Sequence, residues 1–288
     1  MARAPSAECG CAAALALAAR RLRSGLSAGS RSPGPGSCGA PLQAAPPKEE
    51  PGSPAAEAEA GTAERGLEAA RALKSWHRYC GFLAEPGQKC GTCWLMTRHC
   101  CCRGMPGARL RPRVVVVMHH LELGRHLGSN TAKVLFHFGA ELVAWGIRDH
   151  DERLQEVIAK DKACSIILFP GAGAVRASDL SAGCGRTAFP PRVIIILDGG
   201  WRECKRMNDS LDPEIQRCVV TTATREEYGG TRKYGTQDGS RVQTAAAFIT
   251  LMQELGEDPQ HVAALKSGLA HFMSCWESQI HRSKTWVT

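Results

Sequence analysis

Two groups of residues in this 288-residue chain have types and spacings that can do chemistry: a tight set of cysteines, and an aspartate ahead of two glycines. Cys90-Gly-Thr-Cys93, six residues, then Cys100 and Cys102 read C-x2-C-x6-C-x-C. Two thiolates three positions apart grip one ion from a single turn, and the second pair returns across a short loop. Four thiolates at about 2.3 Å suit a tetrahedral Zn2+, and an iron–sulfur cluster also takes four cysteines. With every ligand position filled by protein, such a metal is structural. Cys80 and Cys101 are spare and either is able to substitute in the shell; the bland alternative is a set of free thiols. Fourteen cysteines would form a disulfide framework in a small secreted chain. Here six fall between Cys80 and Cys102 and the rest are scattered singly, which favours a metal and a reducing compartment.

Leu197-Asp198-Gly199-Gly200-Trp201 follows the most apolar run of the chain, Val193–Leu197. A carboxylate at the end of a buried strand is where a catalytic group is placed. The two glycines let the backbone come close to a ligand and adopt positive φ, and the helix after them offers free N–H groups to an anionic moiety. The bland alternative is a turn with Trp201 in the core. Leu168-Phe169-Pro170-Gly171-Ala172-Gly173 is a second strand-end loop. It lacks the third glycine and the acid of a dinucleotide fingerprint, so contact with an adenosyl ligand is the simpler reading. Met118-His119-His120-Leu121-Glu122, with Ser129-Asn130-Thr131 after it, invites a metal. Its spacing is not that of a zinc helix, and neighbours on a strand point to opposite sides. His119 and His126 then read as solvated loop residues, and Asn130 or Thr131 as a helix cap. Asp149-His150-Asp151-Glu152 reads as the exposed start of a helix.

Positioning these groups requires buried strands. Strands are expected at 114–118, 141–145, 165–169, 193–197 and 218–221, with helices at 130–138, 151–161, 202–207, 242–255 and 261–280 between and after them. Continuous β-branched strands alternating with helices predict a parallel α/β sheet covered on both faces, whose ligands sit at the carboxyl ends of the strands. Residues 1–75 contain no Phe, Trp or Tyr. Together with their Ala, Pro, Ser and Gly content, this predicts a disordered leader, with a helix at 63–74 at most. The Arg-rich, acid-poor start fits a transit peptide to a mitochondrion or plastid; read instead as a biased tail, it leaves the protein cytoplasmic or nuclear. The expected organisation is a leader over 1–75, a four-cysteine ribbon over 76–110 and an α/β domain over 111–288. No run of 18 apolar residues exists, so no membrane helix is expected. The net charge of +8, with clusters such as Arg202-Lys205-Arg206 and Arg232-Lys233, is compatible with phosphate-backbone binding.

The order of these motifs resembles the DTW-domain proteins: the cysteine pattern, a strand, H-x-x-E with N-T beyond it, L-F-P, then L-D-G-x-W. That family is similar to tRNA-uridine aminocarboxypropyltransferases, and the resemblance covers about residues 79–255. It implies a SPOUT-like, knotted α/β fold, S-adenosyl-L-methionine as cofactor, structural zinc, and tRNA rather than DNA as partner. Transfer of the 3-amino-3-carboxypropyl group to uridine N3 would release methylthioadenosine. Carried over residue by residue, it implies Asp198 as the catalytic base or the holder of the cofactor amino group. Phe169, Pro170, Gly199, Gly200, Trp201 and Thr244 would contact the cofactor, and Trp201 the flipped base. Glu122, Asn130, Thr131 and Arg232 would contact the substrate, and Cys90, Cys93, Cys100 and Cys102 the metal. Two positions depart from the family pattern. Gly200 stands where D-x-T-W has Thr, and Gln243-Thr244-Ala245-Ala246-Ala247 lacks the Glu of S-T-x-E-A. Two other readings remain: a non-catalytic zinc RNA-binding protein, or a related enzyme acting on rRNA.

Overall fold

The computed structural model describes residues 54–125, 128–221 and 243–284, without the side chains of 54–65 and 281–284. Residues from Gly52 onward form one compact unit. Helix α1, Pro54–Ala84, opens it, and the division expected at 75/76 falls inside this helix. Ala72, Trp76 and Tyr79 are buried along it. Residues 1–53, with the proposed transit sequence, lie outside the described residues.

The sheet has six strands, all parallel, in the order β2-β1-β5-β3-β6-β4. Their ranges are β1 Arg113–Met118, β2 Glu141–Ala144, β3 Ser165–Leu168, β4 Val175–Arg176, β5 Val193–Asp198 and β6 Gln216–Val219. Their β-branched content suits strands buried on both faces, and every residue of β5 is buried. Alternation divides β5. Val193, Ile195 and Leu197 join the core of one face with Val115, Val157 and Met207. Ile194, Ile196 and Asp198 are turned to the other face. Helices α4 (Arg148–Asp161) and α6 (Trp201–Ser210) cover the first face. Helix α7 (Thr244–Glu254) packs on β5 from the second, with α8 (Pro259–Lys284) against it.

Two short helices were not evident from periodicity, α2 (His120–Arg125) and α5 (Ala177–Leu180), and a third, α3 (Lys133–Phe136), is shorter than expected. Each is four to six residues, too short for a 3.6-residue pattern to register. The expected helix at 130–138 shrinks to α3 because Asn130 and Thr131 spend their side chains elsewhere. The fifth expected strand begins at Gln216 rather than Cys218, and the two-residue β4 was not expected. The segment 222–242, including Arg232, lies outside the described residues, as does His126.

Candidate functional site

Asp198 ends β5 and is 4% exposed. A buried carboxylate needs donors on both oxygens, and two distant segments supply them. Asn130 Nδ2 donates to Oδ2 at 2.7 Å and Thr244 Oγ1 to Oδ1 at 2.7 Å. Asn130 cannot turn its amide over, because its own Oδ1 accepts the Ala132 N–H at 2.9 Å. The same Nδ2 lies 3.3 Å from Glu122 Oε2, and the Ala245 N–H reaches Thr131 Oγ1 at 3.4 Å. Asp198, Asn130, Thr131, Glu122 and Thr244 thus form one polar cluster at the carboxyl end of the sheet. The cluster is built because β5 alternation turns Asp198 to the α7 face, where Thr244 opens the helix. Asn130 and Thr131 act as connectors in this cluster and do not cap α3; the residue at that cap is Ala132. Buried Ala246 stands where the family motif has its Glu, so no acid meets Asp198 from that position.

The other strand-end residues gather separately. The Phe169 and Trp201 rings stack with centroids 5.3 Å apart and planes at 23°. Phe169 is buried, but Trp201 is 52% exposed, so it is not a core side chain. This pair belongs to the α6 face. The expected positive φ at the twin glycines does not occur. Gly200 has φ −65° and ψ 159° as the cap residue of α6, and Gly199 is not among the left-handed glycines. What they provide is room: a Cβ on Gly199 would lie 3.1 Å from His119 Cβ. Gly173 does turn left-handed, at φ +73°, and its carbonyl accepts from Gln216 Nε2. A turn explains that loop without a dinucleotide.

Gly200-Trp201-Arg202-Glu203 is a capping box without its hydroxyl. Gly200→Thr is expected to supply it. The new Cβ meets only the Glu203 carboxylate tip, a flexible end that can swing back to the cap N–H. The gain over glycine is a few tenths of a kcal/mol, read as a rise of about 1 °C in Tm by calorimetry.

The four cysteines meet. Their sulfurs lie within 4.8 Å of one another, with Cys90–Cys102 at 3.6 Å and Cys93–Cys100 at 3.8 Å. Ligands about 2.3 Å from a tetrahedral ion stand about 3.8 Å apart, so the cage fits a structural metal such as zinc. Hydrogen bonds from Cys101, Cys102 and Cys90 hold the Cys93 thiol far below its ordinary range, while burial pushes Cys100 up to about 11. The knuckle turns at Trp94, whose φ is +59°, a strained value for a side chain of this size. Buried Trp94 packs edge-on to Tyr79. Lys133 is fully buried below it. Its Nζ donates to the Cys93 carbonyl at 2.5 Å and lies 4.8 Å from the Trp94 ring and 5.2 Å from Phe272. Burial pushes this amine down to about 7. Of the spare cysteines, Cys101 is fully buried, and His137 Nε2 stands 3.7 Å from Cys102. Neither Lys133 nor His137 was legible in the sequence, since nothing local marks a lysine for burial.

His119 and His120 were expected to point to opposite sides, with His119 a solvated loop residue. Both are buried, with rings 4.3 Å apart, because α2 starts at His120 and turns it to the same side. Both face Glu68 of α1, in the stretch expected to be a disordered leader. The acidic run at 149–152 is also partly turned inward. His150 Nδ1 accepts the Ala144 N–H, and Asp151 the Gly146 N–H, with burial pushing Asp151 up to about 6.

Among the described residues no helix is long and apolar enough to cross a membrane. The model of the DTW domain matches residues 87–277, roughly two-thirds of the chain. No curated protein and no solved structure gives a match.

Proposed function

We propose, on the premise that this chain belongs to the DTW-domain family, that it is a tRNA-uridine aminocarboxypropyltransferase using S-adenosylmethionine. The observation that carries the reading is Asp198. It is a buried carboxylate at the end of a central parallel strand, held by motif residues 68 and 46 positions away. In the proposed step Asp198 takes the proton from uridine N3. N3 forms a bond to the methylene carbon beside the sulfonium, the carbon–sulfur bond breaks, and its electron pair leaves on sulfur as neutral methylthioadenosine. Asn130 and Thr244 fix the carboxylate, and alignment in a dry pocket supplies much of the rate. The Phe169-Pro170 loop and the Gly199-Gly200 turn are read as adenosyl contacts, and Glu122, Thr131 and Arg232 as substrate contacts. The cysteine cage is proposed to hold zinc, and its role is structural. The fold is proposed to be knotted as in SPOUT enzymes.

The test is incubation with S-adenosylmethionine and bulk unmodified tRNA, with nucleosides read by mass spectrometry. The expected products are an aminocarboxypropyl uridine and methylthioadenosine; S-adenosylhomocysteine instead would mark a methyltransferase, and activity on rRNA alone would move the substrate. Half-exposed Trp201, stacked on Phe169, is proposed as the platform for the flipped base. Trp201→Ala is expected to weaken RNA binding about tenfold or more, within the ~1–3 kcal/mol typical of base–aromatic stacking, with little change in Tm. Fluorescence anisotropy on labelled tRNA measures it. A second reading, RNA binding without turnover, is favoured by Gly200 and Ala246 in place of the family's Thr and Glu; it predicts tRNA binding that Asp198→Asn leaves intact and no methylthioadenosine.

A further inference from the structure

Helix α1 contributes a carboxylate that the proposed reaction does not use. Glu68 Oε1 lies 3.0 Å from His120 Nε2, 3.5 Å from His119 Nε2 and 3.7 Å from Arg206 Nη1. The Trp145 ring stacks on His119 at 5.3 Å, and the Arg206 guanidinium lies 5.8 Å from the same ring. Against the pull of burial, the His120 hydrogen bond and the Arg206 charge hold Glu68 below the ordinary carboxylate range.

Two histidines and a carboxylate are also a metal donor set, and ligands about 2.0–2.2 Å from a tetrahedral ion stand about 3.3–3.6 Å apart. Proton accounting assigns the cluster differently. The Leu121 N–H can only donate, and it points at His119 Nδ1 at 3.3 Å. In the neutral ring the proton is then on Nε2, and burial keeps this ring neutral by pushing its pKa down to about 4. Glu68 accepts from His120, so His120 Nε2 also carries hydrogen, leaving its Nδ1 to the Ser75 hydroxyl at 3.3 Å. With Nδ1 accepting, neutral His119 has no Nε2 lone pair to give an ion; its Nε2 is buried without a hydrogen-bond partner, 3.5 Å from the Glu68 Oε1 that His120 Nε2 approaches at 3.0 Å.

We infer that Glu68 is a positioning residue, through which helix α1 fixes the end of β1 and the turn that carries Asp198. The link is short. The His119 main-chain N–H donates to the Asp198 carbonyl at 2.9 Å, and His119 Cβ sits against the Gly199 backbone. A ring clamped between Glu68 and Trp145 therefore sets the backbone beside the proposed catalytic acid. The inference rests on the transferase reading for its consequence, but its first readout does not.

The experiment compares full-length wild type with Glu68→Ala and the near-isosteric Glu68→Gln. Hydrogen exchange is expected to rise about tenfold over 113–122 and 193–200 in E68A, less in E68Q, with the remaining protected segments unchanged. Turnover should fall about ten- to a hundredfold in kcat, with KM for S-adenosylmethionine within about twofold, as small misplacement of a catalytic group acts on the transition state. Uniformly faster exchange, or unchanged exchange over 193–200, overturns the inference. So does a Zn2+ or Mn2+ equivalent beyond the cysteine site that E68A abolishes. If wild type turns over no RNA, the transferase reading fails while the exchange data still decide the role of Glu68.

Discussion

Asp198→Asn is expected to lower turnover by about 10²–10⁴-fold, the range associated with a positioned general base. The substitution is tolerated by the fold. Asn130 is locked with its Nδ2 toward position 198 by the Ala132 N–H, so the new amide must offer its oxygen there. Its NH2 then faces Thr244 Oγ1, a hydroxyl able to accept. Tm should shift by no more than a few degrees, which separates chemistry from folding. Calorimetric titration with S-adenosylmethionine divides the two roles open to the acid. Unchanged affinity with lost turnover identifies the base; affinity lost alongside turnover identifies the holder of the cofactor amino group. Retained turnover in D198N would remove Asp198 from the mechanism.

Cys93→Ser is expected to abolish stoichiometric metal and lower stability by about 3 kcal/mol or more, or roughly 6–12 °C in Tm. The effect reaches beyond the cage. The Cys93 carbonyl holds the buried Lys133 ammonium, and Trp94 spans from the knuckle to Tyr79 of α1. Losing the knuckle displaces the nearest acceptor of this buried amine, whose Nζ also lies 3.3 Å from the Gly128 carbonyl, and disturbing a buried polar group is costly. Inductively coupled plasma mass spectrometry on the purified chain, paired with thermal melts before and after chelation, measures both quantities. One zinc per chain in wild type and none in the variant is the expected result; a stable, metal-free wild type would refute the structural-metal assignment.

The strands were legible because a strand buried on both faces needs a continuous β-branched run, and Val114–Met118 and Val193–Leu197 supply it. The cysteine cage was legible because its ligands are local: sulfur spacing along the chain nearly fixes sulfur spacing in space. Asp198 was visible as the one carboxylate at the end of such a run. Its partners were visible only as motif fragments, since the sequence does not say which face of β5 position 198 takes until α7 is packed there. The reading of Trp201 as core failed for the same reason. Phe169 stacks on the indole, which stays half-exposed among the described residues. His119 and His120 were placed by strand alternation, which stops applying one residue earlier than expected, where α2 begins.

The sequence alone determined the sheet class, the four thiols and the acid, because each depends on neighbours within a few residues. Tertiary structure decided which groups share a pocket. It divided the strand-end residues into an Asp198 cluster and a Phe169–Trp201 pair on opposite faces, and it brought Glu68 across some fifty residues to two histidines. Such pairings depend on the closing of the sheet and the docking of helices, where burial, not chain proximity, selects the partner.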